Sequence, residues 1–262
     1  MTFIELENIR IWFYNYVAPF LHASKKTILM IQMKLKHSQN VAENCRMLAE
    51  ELKWPENEVL SGEALGLLHD VGRFSQYTEY GTFVDSYSFD HGKYGCDVVY
   101  RSNILSSVAP PLRQSILDGI HYHSYRDIPP YVSPESLRFL KMVRDSDKLD
   151  ILQVIDDSIK NNDHKEHLMM ALNIKSDGPI NGKVLDEIRN NRVVSNKHIQ
   201  SLMDFYLMQL SWVFDINYCE TFIHIIDRRI YDRIIRVLND YRETQPVIES
   251  IFSYLKTRVS MQ

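Results

Sequence analysis

An all-α fold is predicted for this chain by three features. Apolar residues recur at three- and four-residue intervals through most of its length, no stretch shows the period-two alternation of a half-buried strand, and the breaks fall at proline or glycine. The 262 residues, 45% of them hydrophobic, suffice for one large domain or two smaller ones with a substantial core.

Ile9, Trp12, Phe13, Tyr16 and Val17 share a helical face, which predicts a first amphipathic helix ending near Pro19. A second helix is expected from Ser24 to Leu52, where His37, Val41, Cys45, Leu48 and Leu52 line one stripe and place the histidine on the buried side. Trp54-Pro55-Glu56 breaks it and starts another with proline in the first turn. Ser61 or Gly62 is expected to start the helix carrying His69-Asp70, with an exit at Gly72. Residues 73–83 read as a loop too aromatic for a plain linker, a candidate site rim. Asp90 is a plausible N-cap, which puts His91 in a first turn.

Pro111 starts a helix on which Leu112, Ile116, Gly119, Ile120 and His123 share a face, while His121 points outward. After Ser133-Pro134-Glu135 another helix aligns Leu140, Val143, Asp147, Ile151 and Val154, and turns Asp145 elsewhere. From Asn161 a polar connector containing His164 and His167 interrupts the pattern, and those two histidines read as part of a solvated turn. Asp177-Gly178-Pro179 and Asn181-Gly182 mark further turns. Long helices are then expected over 196–214 and 220–242, with the aromatic residues Trp212, Phe214, Tyr218 and Phe222 as core or subunit interface. The expected division is 1–160 with the N-terminal helix and 161–262 as a helical extension packing on it.

Composition narrows the function classes. A net charge of −4 gives no general field for nucleic-acid polymers or anionic membranes, so phosphate affinity must come from a local cluster. Three cysteines without a CxxC indicate neither a disulfide framework nor a thiolate zinc site and fit a reducing cytosol. Glu5 and Glu7 ahead of Arg10 are the wrong charge for a signal peptide, and no apolar run approaches the roughly 18 residues of a membrane span. The expectation is a cytoplasmic protein.

His69-Asp70 closes the apolar run Ala64-Leu65-Gly66-Leu67-Leu68. Burying a charge there costs several kcal/mol, roughly, unless it is paired or bound to a metal. With His37 upstream and His91, His123 and Asp147 downstream, the chain holds the ingredients of a nitrogen and oxygen metal site. Imidazole and carboxylate suit Mn, Fe, Co, Ni or Zn, and one or two such ions are expected. Arg73, three residues after Asp70, is the candidate phosphate clamp, since a guanidinium binds two oxygens at once, and Lys148 or Arg144 is placed to assist. Asp150, one turn from Asp147, is a candidate either to orient a ligand or to form a structural ion pair.

The ordered set His37, His69-Asp70 and Asp147, the last within Arg144-Asp145-Ser146-Asp147-Lys148-Leu149-Asp150, resembles the signature of the HD-domain metal-dependent phosphohydrolase superfamily, over residues 33–155. His91 and His123 resemble the two extra histidines of binuclear members, in which the aspartate of the HD pair, here Asp70, bridges the ions. The stretch His69-Asp70-Val71-Gly72-Arg73-Phe74, with Tyr80-Gly81-Thr82-Phe83 and Asp90-His91, is similar to a little-characterised bacterial branch. The GYP motif of cyclic di-GMP-binding members is missing after His123, which is followed by Ser124-Tyr125-Arg126-Asp127-Ile128-Pro129-Pro130. The Glu-Asp pair of alarmone hydrolases is replaced by Arg73-Phe74-Ser75.

The resemblance implies an HD-type helical bundle with a C-terminal helical extension. It also implies a hydrolase of a small phosphate ester, of which nucleotides are one class, using a metal-activated hydroxide, with Asp70, Arg73 and Lys148 as catalytic candidates. Two rivals remain open: a di-iron oxygenase on the same six ligands, and a catalytically silent nucleotide-binding regulator that uses its C-terminal helices to engage a partner. A homodimer and a monomer burying the apolar C-terminal faces internally are both compatible with the sequence.

Overall fold

The computed structural model describes residues 1–161 and 178–260, and among these it is helical throughout, with no β-strand and no helix long and apolar enough to cross a membrane. The described chain divides into two compact units, Met1–Asp150 and Ile151–Gln262. Asn162 to Lys165, with His164 and His167, lie outside the described residues.

In the first unit, α1 (Phe3–Val17) is started by a Thr2–Glu5 capping box and buries Leu6, Ile9, Phe13 and Val17, then tightens into a 3-10 turn at Ala18–His22. α2 (Lys25–Glu51), capped by Ser24, buries His37, Val41, Cys45 and Leu48 as the stripe predicts. α3 (Glu56–Leu68) starts directly after Pro55 and packs against α1, α2 and α6, so it is buried on every face from Val59 onward. Ser61 is therefore not a helix start. Its hydroxyl donates back to the Asn57 carbonyl at 2.7 Å, the internal bond that spares a buried serine in mid-helix.

His69 and Asp70 form the joint between α3 and α4 (Val71–Tyr80), rather than lying within one helix. The predicted loop over 73–83 is mostly this helix, because Val71, Phe74 and Tyr77 supply a buried stripe at helical spacing. The exit comes at Gly81, in the left-handed conformation with φ 65°, not at Gly72. Gly72 serves another purpose: a Cβ there would lie 2.3 Å from the carbonyl oxygen of His91, so its absence lets α4 touch the start of α5 (His91–Ser102). Asp90 caps α5 by accepting the Lys93 N–H at 2.9 Å, as expected.

α6 (Pro110–Tyr122) buries Ile116, Gly119 and Ile120 and ends on His123. α7 (Pro134–Asn161) buries Phe139, Leu140, Met142 and Val143 in the first unit. Contrary to the stripe reading, Asp145 is also fully buried, because residues 142–146 are enclosed on all faces, and Val154 is exposed.

In the second unit the two long helices expected over 196–214 and 220–242 are broken. Residues 196–198 form only a 3-10 turn before α9 (Leu202–Ser211), with α8 (Gly182–Arg189) preceding it. The second pattern divides into α10 (Cys219–Asp227) and α11 (Tyr231–Leu238) around Arg229, whose φ of 54° no helix interior accommodates. α12 (Gln245–Val259), started by Pro246 in its first turn, closes the unit on α8 and α10. α9 is buried on every face, and Phe222 is core, while Trp212, Phe214 and Tyr218 are half-buried.

Candidate metal centre

Four imidazoles and two carboxylates converge in the first unit. α2 brings His37, the α3–α4 joint brings His69 and Asp70, the first turn of α5 brings His91, the end of α6 brings His123, and α7 brings Asp147. The ring nitrogens and carboxylate oxygens of His37, His69 and Asp70, of His69, His123 and Asp147, and of Asp70, His91 and His123 form groups whose members lie within 4.8 Å of one another.

Each histidine is held from behind by its Nδ1. His69 donates to the Gly66 carbonyl at 2.7 Å and His123 to the Ile120 carbonyl at 2.9 Å. His37 donates to Asp150 Oδ2 at 2.6 Å and His91 to Asp85 Oδ2 at 2.7 Å. Carbonyl and carboxylate oxygens only accept, so in the neutral rings every proton sits on Nδ1 and every Nε2 presents a lone pair inward. This is the arrangement by which proteins aim metal-binding imidazoles.

Those lone pairs face acceptors. Asp70 Oδ2 lies 3.6 Å from Nε2 of both His37 and His69, while Asp70 Oδ1 lies 3.4 Å from His91 Nε2 and 3.6 Å from His123 Nε2. Asp147 Oδ1 stands 3.1 Å from His37 Nε2 and 3.9 Å from His69 Nε2. His91 and His123 point their Nε2 atoms at each other across 3.1 Å. The buried Nε2 atoms of His37 and His69 have no hydrogen-bond partner. Lone pair against lone pair and carboxylate at these distances is repulsive unless a cation joins them, so the donor set fits a divalent metal.

The electrostatics sort the ligands. Burial pushes His69 down to about 3 and His91 down to about 4, the latter against the opposing pull of Asp85, so both rings stay neutral as ligation requires. Burial and Lys34 act against protonation of His37, yet the neighbouring carboxylates of Asp147 and Asp150 raise its pKa overall. Asp70 is held well below the ordinary carboxylate value: burial opposes this, and Lys34, His69, His123 and Arg73 outweigh it. Asp147 is lowered against its own burial chiefly by His37.

These shifts predict an acid limb of stability in protein stripped of metal. Below pH 6.5 unfolding frees His69 and His91 to take up protons that the folded state refuses, so stability falls as pH drops from 6.5 toward about 4. Each group contributes a slope of up to about 1.4 kcal/mol per pH unit. His37, protonated in both states below 6.5, offsets none of this, but it costs stability as pH rises through its raised pKa. Urea midpoints measured from about pH 4 to 8 should peak near 6.5, and added metal should flatten the acid limb.

Among the catalytic candidates, Arg73 is beside the centre, with Nε 3.4 Å from Asp70 Oδ1, but its Nη1 is committed to Gln76 Oε1, to the Phe83 carbonyl and to Asp85 Oδ1. It ties Asp70 to the 81–90 strap. Lys148 reaches the Arg144 carbonyl at 3.4 Å, and Arg144 donates to the carbonyls of His123 and Tyr125. Two residues were not singled out from the sequence. Lys34 donates to Asp70 Oδ2 at 2.7 Å, and its place one turn before His37 on the same helix face was the available signal. Asp85, which orients His91, lies in a 3-10 turn where no periodicity marks it.

The HD domain family matches residues 35–158, a span that contains all six converging side chains. Residues 35–158 of the chain are an HD domain. HD domains are generally metal-dependent hydrolases of phosphorylated compounds, and the His and Asp groups here are of the kind that hold their divalent ions. Searches of curated proteins and of solved structures gave no match.

Proposed function

We propose that this HD domain is a phosphohydrolase of a small phosphate ester, with two divalent cations held on either side of Asp70. The observation that carries the reading is the division of one carboxylate between two imidazole pairs, Oδ2 beside His37 and His69 and Oδ1 beside His91 and His123. Asp147 would complete the first group, and Asp150 and Asp85 would fix the rings of His37 and His91. Bound ions of this kind lower the pKa of water toward neutrality and polarise phosphoryl oxygens.

The chain's own groups supply binding and orientation. The four imidazoles and Asp70 are buried, whereas the side chains of Asp147, Lys34 and Arg73 retain 22%, 16% and 15% of their exposure. Substrate therefore approaches over Asp147, Lys34 and Arg73. Nη1 of Arg73 is taken up by three oxygens of its own unit, and Lys34, whose hydrogen bond to Asp70 uses one of its three donors, has donors to spare for a phosphoryl oxygen once cations share the charge of Asp70. The Phe83 ring, 5.4 Å from Lys34 Nζ, walls the same approach.

The test is turnover of p-nitrophenyl phosphate, bis-p-nitrophenyl phosphate and nucleoside phosphates with Mn(II) or Co(II). Metal-dependent release of phosphate or of the alcohol is expected, and a chain loaded with two ions that turns over none of these classes would contradict the proposal. Lys34→Ala should lower kcat/KM by about 10- to 100-fold, the worth of a charge-assisted hydrogen bond, with metal content unchanged. Loss of metal instead would make Lys34 a structural partner of Asp70.

A further inference from the structure

The two imidazole pairs are built on different foundations. His37 sits in the middle of α2, packed on α3, and His69 follows directly from α3. His91 and His123 come from helix ends, the first residue of α5 and the residue closing α6, where backbone groups lack intrahelical partners. Their Nε2 atoms nevertheless stand 3.1 Å apart with both Nδ1 protons pointing outward, an arrangement that repels itself without a cation. Something other than mutual attraction must hold them together.

A connected set of polar contacts does so. Arg144, buried on α7 one turn before Asp147, donates through Nη1 to the His123 carbonyl at 3.1 Å and to the Tyr125 carbonyl. Tyr125 donates its hydroxyl to Asp90 Oδ2 at 3.0 Å. Asp90 uses Oδ1 to cap α5, whose first residue is His91. We propose that Arg144, Tyr125 and Asp90 form a brace that presets the His91–His123 pair for the second cation. They are positioning residues: Arg144 holds the His123 backbone, and Tyr125 acts through Asp90 on the first turn of α5, which His91 begins.

Burying a guanidinium costs several kcal/mol, roughly, unless it is satisfied, and here its charge falls on the carbonyl end of α6, where the helix dipole favours a cation. Because Asp147 lies one turn further along α7, the same helix that supplies a ligand to the first group fixes the frame of the second. The inference rests on the metal-binding reading above.

The experiment titrates Mn(II) into the metal-free full chain and into the Tyr125→Phe and Arg144→Gln variants, following affinity for each equivalent and the spin coupling of paired Mn(II). The first equivalent should bind all three proteins alike. The second should weaken about tenfold in Tyr125→Phe and up to about 100-fold in Arg144→Gln, with the coupled signal diminished, as partners behind ligands do elsewhere. Wild-type affinity for the second equivalent in folded variants overturns the brace. Should Arg144→Gln fail to fold, Tyr125→Phe, which deletes only a half-buried hydroxyl, decides alone. A wild-type chain that binds no Mn(II) instead removes the metal-binding reading, and the brace with it.

Discussion

Asp70→Asn is expected to leave a folded protein that holds neither cation tightly and hydrolyses phosphate esters at least about 1,000-fold more slowly. Asp70 lies within 4 Å of the Nε2 atoms of all four histidines, so this single change strikes both groups. Asparagine keeps the shape and can still accept from Lys34, but it removes the anion that two cations would share. Losing the several kcal/mol that metal contributes to the transition state corresponds to three or more powers of ten in rate. Metal content and kcat measured on the same preparation check this. Normal metal content with lost activity would instead restrict Asp70 to a role in the chemical step.

Gly66→Ala is expected to destabilise the domain by about 3 kcal/mol and to weaken metal binding together with it. A Cβ at Gly66 would meet the Ala42 Cα at 2.7 Å and the Val41 carbonyl oxygen at 2.7 Å, both backbone atoms that cannot swing aside. α2 and α3 must then separate. The site is caught in that movement, because His37 lies one turn before Val41 on α2 and His69 donates to the Gly66 carbonyl itself. A thermal midpoint lowered by roughly 10 °C, with a matching fall in affinity for the first equivalent of metal, is the outcome to look for. An unchanged midpoint would show that the helices absorb the methyl by sliding.

The helical class and the six converging residues were legible because both are written in short-range terms. His37 falls on a stripe with Val41, Cys45 and Leu48, Asp90 announces the start of α5, and a His-Asp pair at the end of an apolar run demands a partner. What escaped was set by tertiary contact. Gly72 looks like a helix exit but is the price of α4 touching the His91 backbone. Ser61 looks like a cap but satisfies itself inside a buried helix. The stripe on α7 hid Asp145, since residues 142–146 are enclosed on all faces and periodicity carries no information there. Arg73 has the right chemistry for a phosphate, yet its acceptors at Phe83 and Asp85 come from a strap whose path no local pattern fixes.

The proposed pair of cations divided by one carboxylate is tested most directly by metal per chain, by elemental analysis, on protein purified without chelator and again after reconstitution with Mn(II) and dialysis. Close to two equivalents are expected in the reconstituted wild type and fewer than one in Asp70→Asn. No retained metal from Mn, Fe, Co, Ni or Zn would contradict it, and would make the ring of imidazoles and carboxylates a protonated structural network.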